Sequence, residues 1–105
     1  MSEDQLTPVP ASFLALHFAP GQRVRDADGN LRARYELCED LACYLVNSAQ
    51  GLHHDDGLTE DDVLGRCLLG LRQPAAELRE GEADWVVTRL AELLSWPPLP
   101  ASPLD

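Results

Sequence analysis

Apolar residues recur along the middle of the chain with the spacing of helical faces. Leu31, Tyr35, Cys38, Ala42, Leu45, Ala49 and Leu52 follow one another at steps of four and three, the signature of one buried helical stripe. This pattern predicts a helix over about Asn30 to His54. Leu41 and Val46 widen its stripe, while Glu36, Glu39 and Asp40 fall near its edges or outside it. Gly57 is placed to close the helix in the left-handed conformation, and His53 and His54 sit near its negative end. Gly51 is expected to let the last turn fray, and an Asp28-Gly29 hairpin turn competes as an alternative to the helix start.

A second helix is marked by its start signals. Thr59 reads as an N-cap, with Glu60, Asp61 and Asp62 in the first turn, where carboxylates meet free amides and the positive helix end. Leu58 and Val63 have the spacing of a hydrophobic staple. Val63, Leu64, Cys67, Leu68, Leu69 and Leu71 leave few polar positions, so this helix is expected at the centre, covered on more than one side. Gly65 and Gly70 are expected to permit close approach of a neighbour. Gln73-Pro74 ends or redirects the helix, and residues 75–81 are expected to form a loose turn or a short helical piece. A third helix follows from about Glu82 to Ser95, with Ala83, Val86, Val87, Leu90, Leu93 and Leu94 on its buried face and Pro97-Pro98 stopping it.

The flanks read differently. Over residues 1–29, Pro8, Pro10 and Pro20 bracket Ser12–Phe18 and, with Gly21, argue against a long helix. Residues 12–18 are expected to be an extended arm that packs on the helices, or a docking peptide for a partner. Residues 97–105 hold four Pro and are expected to be extended or disordered. The expectation is an all-α fold: a small three-helix domain over 30–96, a Pro-flanked arm before it and a flexible Pro-rich tail after it.

Composition agrees with a helical reading. The chain has 105 residues with nineteen Leu, six Val and no Ile, a palette that loses little rotamer freedom in helices. All eight basic residues are Arg, which removes Schiff-base chemistry and the phosphate-binding Lys of a P-loop. The net charge of −10 repels phosphate backbones, so no nucleic-acid partner is expected. No apolar run approaches the ~18 residues of a membrane span. The start, Met1-Ser2-Glu3-Asp4, lacks the basic segment of a signal peptide. Three cysteines argue against a disulfide framework, and a cytoplasmic location is expected.

The candidate chemistry is thin. His53-His54-Asp55-Asp56 suggests a small metal- or ligand-binding protein, the alternative functional reading. Zinc, however, needs three or four convergent ligands, and adjacent helical residues diverge by about 100°. Asp26-Ala27-Asp28-Gly29-Asn30 opens like a calcium loop, but Leu31 and Leu37 stand where Gly and the bidentate Glu are needed. Asp55, Asp56, Glu60, Asp61 and Asp62 crowd five carboxylates into eight residues, and helix capping accounts for three of them. Neither a nucleophile elbow nor a Cys-x-x-Cys pair is present, and His17 has no assigned partner. No catalytic residue, cofactor or metal is expected.

The third helix carries an oddity. Relative to Leu90 at the centre of its apolar face, Trp85 lies about 140° away and Trp96 about 120° away, on the same side. Arg89 sits between them, with Glu92 close by. Trp and Arg dominate interface hot spots, so Trp85, Arg89 and Trp96, with Phe13 and Leu14 of the arm, are the candidate partner-binding residues. The competing account is that Phe13–Phe18 folds back over the two Trp and closes an internal minicore.

Four strings resemble a family of short bacterial proteins: Ser12-Phe13-Leu14-Ala15-Leu16, Arg34-Tyr35-Glu36-Leu37-Cys38-Glu39-Asp40-Leu41, Leu58-Thr59-Glu60-Asp61-Asp62-Val63-Leu64, and Trp85-Val86-Val87-Thr88-Arg89-Leu90-Ala91-Glu92-Leu93-Leu94. Proteins of that family are labelled as ATPases with chaperone activity or as ATPase regulators. The likeness covers residues 10–96, rests on helix-forming strings, and leaves out the Pro-rich tail. Without Lys or a Gly-x-x-x-x-Gly-Lys-Ser/Thr loop, this chain is not itself a P-loop ATPase. The resemblance therefore implies an accessory that associates with an ATPase, and it supplies no catalytic residues. The expected function is a non-enzymatic protein-interaction or regulatory protein, with a homodimer as a further possibility.

Overall fold

The computed structural model describes residues 9–18, 30–79 and 81–99. Four helices form the fold: α1 (Ala11–His17), α2 (Asn30–His54), α3 (Glu60–Leu71) and α4 (Glu82–Leu94), with a short 3-10 turn at Pro74–Ala76. No strand occurs among the described residues, and the fold is all-α. The Asp28-Gly29 turn, the calcium-like stretch before Asn30, the arm at 1–8 and 19–29, and the tail from 100 onward lie outside the described residues.

The apolar stripe of α2 is buried at Leu31, Tyr35, Cys38, Ala42 and Ala49. The helix continues through Gly51 and ends at His54. Beyond it Gly57 takes the left-handed conformation with φ +74°, as its place after the last turn predicts. α3 starts on its cap: Thr59 Oγ1 accepts the Asp62 amide at 3.1 Å, while Val63 is fully buried and Leu58 partly buried against the core at the staple positions.

The structure moves the centre of the fold from α3 to α4. α4 packs against α1, α2 and α3, and its contact with α2 is the most extensive in the molecule. By contrast Leu69 of α3 is 63 % exposed, and a methyl group placed on Gly65 or Gly70 would meet nothing within 4 Å. Those glycines are not close-approach sites. The buried face of α4 also differs from the expected one, since it includes Glu82, Trp85 and Ala91 whereas Leu93 is 37 % exposed.

The arm at 12–18 is helical, not extended. Pro10 precedes the first helical residue, where its missing amide costs nothing, and its carbonyl accepts the amides of Phe13 and Leu14 at 3.1 and 3.0 Å. The prolines thus bracket a seven-residue helix. So short a helix is unstable alone, and docking on α4 supplies what propensity does not. Ser12 meets Trp85 and His17 meets Glu82, so α1 runs antiparallel to α4. Gly81, at φ +84°, makes the approach possible: a Cβ there would lie 2.9 Å from Leu16.

Trp96 does not continue the face of α4. Ser95 adopts the left-handed conformation with φ 59°. Its amide bonds to the Glu92 carbonyl, and the Trp96 amide bonds back to Ala91 at 2.9 Å, which is a Schellman closure. The reversal turns the Trp96 ring onto His53, with centroids 5.0 Å apart, whereas Trp85 packs at the other end of α4. The 100° helical step does not extend past Leu94.

Phe13 has no exposed surface and anchors α1. Phe13→Ala is expected to destabilise the fold by about 3–5 kcal/mol. In a Trp96→Phe background, denaturant titration should show a lower midpoint and a red-shifted Trp85 emission in the folded baseline.

Candidate functional site

Three helices meet at the start of α4, and the polar core of that meeting is Glu82. Its side chain is fully buried. From α2, Arg34 grips it with two guanidinium nitrogens, Nε at 3.1 Å from Oε2 and Nη2 on Oε1. The Arg79 amide donates to Oε1 at 2.8 Å. His17 of α1 brings Nε2 to 3.4 Å from Oε2, a contact too poorly aligned to be a hydrogen bond. Burial opposes the carboxylate charge, but the Arg34 and Arg79 hydrogen bonds outweigh it and hold the Glu82 pKa below its ordinary 4.5. The bond to Glu82 likewise raises the pKa of Arg34. Beside them the Cys38 thiol is pushed up to about 12, chiefly by burial and then by Glu82, so it is neutral and not a nucleophile at physiological pH.

Beside this cluster lies an aromatic one. Phe13, Tyr35 and Trp85, from α1, α2 and α4, meet edge to face with centroids 5.2 to 5.8 Å apart, the arrangement favoured by ring quadrupoles. Trp85 Nε1–H donates to Ser12 Oγ at 2.9 Å, so its indole is satisfied within the fold.

The other side of Trp85 borders a cleft of about 660 Å3 between α1, α2 and α4. Pro10, Ser12 and Leu16 form its α1 wall, Tyr35 and Glu39 its α2 wall, and Asp84, Trp85, Thr88, Arg89 and Glu92 its α4 wall. Asp84, Thr88 and Glu92 recur every fourth residue and so share one face of α4. Arg89 reaches across to Glu39, with Nε at 2.9 Å from Oε1 and Nη2 at 3.0 Å from Oε2, and also holds Glu92 at 3.1 Å. The Glu39 bond first, then Glu92, raises the Arg89 pKa. The guanidinium is a fixed strut across the cleft.

The five residues picked from sequence separate here. Trp85 and Arg89 line the cleft. Phe13 lies buried against Trp85 as its support, Leu14 packs partly buried on the core, and Trp96 sits on His53. α1 therefore covers Trp85 but not Trp96. Sequence reasoning did not find Glu39, Asp84, Thr88, Ser12 or Leu16, although the four-residue spacing of Asp84, Thr88 and Glu92 was a visible signal. Glu82 was also visible, since it stands in step with Val86 and Leu90 on an otherwise apolar stripe.

The His53 and His54 rings lie 5.1 Å apart, and His53 Nδ1–H donates to the Leu58 carbonyl at 2.7 Å. Among the described residues no group of three or more His, Cys, Asp or Glu could hold a metal ion, and no helix is long and apolar enough to cross a membrane. Comparison of the chain with protein-family models, with curated proteins and with solved structures finds no match.

Two outcomes follow. Because Glu82 titrates lower folded than unfolded, its contribution is complete above its unfolded value of 4.5 and is lost as pH falls through the folded value. Glu82→Gln should cost about 3 kcal/mol at pH 7 by leaving half-buried Arg34 without its counter-charge, and the gap from wild type should narrow in acid denaturation only below pH 4.5, as the carboxylate takes up its proton. In native alkylation followed by peptide mass mapping, exposed Cys43 should react first, while buried Cys38 should react only after unfolding.

Proposed function

We propose that this chain is a non-enzymatic protein-interaction module that receives a segment of a partner protein in the cleft between α1, α2 and α4. One observation carries the reading: Tyr35, Trp85 and Arg89, the residue types that dominate interface hot spots, border a single cleft. The cleft has the size of pockets that accept a few side chains. Within its wall Glu39 and Arg89 neutralise one another, and Ser12 Oγ accepts the Trp85 indole N–H. The resemblance to ATPase-associated bacterial proteins suggests that the partner is an ATPase, for which this chain is an accessory.

Thr88 is exposed in the cleft wall and is the position for a test that leaves the core intact. A photo-crosslinking residue at Thr88 is expected to capture a defined partner from the native cell, whereas the same residue at exposed Asp61 of α3 should not. Mass spectrometry of the product tests whether the partner is an ATPase. Equal capture from both positions would remove the cleft from the proposal.

A further inference from the structure

We infer that the segment received in this cleft is extended and carries two basic side chains four residues apart, with an apolar side chain midway between them. The inference rests on the proposed reading of the cleft as a docking site and specifies its ligand.

The rim decides the charge. Three carboxylates, from Glu39, Asp84 and Glu92, line the cleft against one guanidinium, from Arg89. Glu39 and Arg89 are occupied with each other. Asp84 and Glu92 are the available pair: their side chains are 58 % and 61 % exposed, and each gives one oxygen to an Arg of this chain, Asp84 to Arg72 and Glu92 to Arg89. Exposed pairs of that kind contribute little, so an incoming cation can replace or share them. The whole chain points the same way. At −10 its field attracts cationic segments and repels anionic surfaces and further copies of itself.

The spacing decides the conformation. Asp84 and Glu92 are eight residues apart on α4, hence about 12 Å along its axis. An extended chain rises about 3.3 Å per residue and returns to the same side every second residue, so residues i and i+4 are separated by about 13 Å. Residue i+2 then falls over exposed Thr88, beside half-buried Leu16 and the narrow strips of Tyr35 and Trp85, 8 % and 9 % exposed, that reach the cleft wall. The aromatic and aliphatic floor accepts that apolar side chain and the alkyl stems of the flanking basic ones.

The test uses the full 15N-labelled chain and two synthetic peptides, Gly-Arg-Ser-Leu-Ser-Arg-Gly and the same sequence with both Arg replaced by Gln. Resonances of the Trp85 indole and the Thr88 amide report occupancy of the cleft. The Arg peptide should shift both and bind at least tenfold more tightly than the Gln peptide. That preference should disappear in the Asp84→Asn, Glu92→Gln double variant, whose fold circular dichroism can check, and should weaken as NaCl is raised from about 50 to about 500 mM. Equal binding of the two peptides would overturn the charge assignment while leaving the cleft a docking site. Absence of shifts with either peptide, alongside specific crosslinking from Thr88, would overturn the inference and leave the interaction module standing. Absence of both would overturn the two together.

Discussion

A carboxylate without exposed surface has to be satisfied from inside the fold, and at Glu82 this requirement organises everything near it. The partners come from α2 as Arg34, from the turn before α4 as the Arg79 amide, and from α1 as His17. Neither α2 nor that turn can shift without leaving a buried charge partly bare, which costs more than the pair contributes when intact. Its consequence is therefore register. With Arg34 on Glu82, Tyr35 meets Trp85; with His17 on Glu82, Phe13 falls between those rings. Arg34 suits the position because its fork takes both oxygens at once, which a Lys ammonium cannot reproduce.

From that fixed end the cleft follows by length. α1 has seven helical residues and α4 thirteen, about 10 and 20 Å at helical rise. Because α1 runs back from Glu82 toward Ser12, it covers α4 only as far as Trp85. The next two turns, bearing Thr88, Arg89 and Glu92, continue past its end. α2 runs parallel to α4, with Arg34 at Glu82 and Glu39 at Arg89, and closes the opposite wall. The opening is thus bounded by an aromatic cluster at one end and crossed by the Arg89–Glu39 ionic strut, both held by the packing that forms them.

This origin explains what the sequence could and could not convey. Helices α2, α3 and α4 were legible because each has a long periodic stripe and its own boundary signals: Gly57 after α2, Thr59 before α3, Pro97 after α4. The seven residues of α1 hold too few turns to show a period, and their helicity depends on docking that no local rule contains. The expectation that α3 is central failed because a run of Leu resembles burial whether or not a neighbour exists, and Leu69 is 63 % exposed. Trp96 was misplaced by extending helical geometry across Ser95, a residue that adopts the left-handed turn without being Gly. The cleft was half legible: Trp85 and Arg89 stood out as costly residues on a polar face, whereas Glu39 lies fifty residues away from Arg89 in sequence and could be joined to it only by the fold.

The distribution of Arg completes the electrostatic argument. Of the Arg residues described, Arg34 and Arg89 are committed to interhelical pairs, and Arg32 and Arg72 to exposed ones. Among the described residues four of six Arg are thereby paired within the molecule, and most of the carboxylates are exposed. A partner approaching from a distance therefore meets an anion, whatever the local chemistry of the cleft. Only at contact does the aromatic floor between Asp84 and Glu92 matter. In the proposed docking the two stages select on different properties, charge at long range and apolar fit at short range, and a segment alternating basic and apolar side chains would satisfy both.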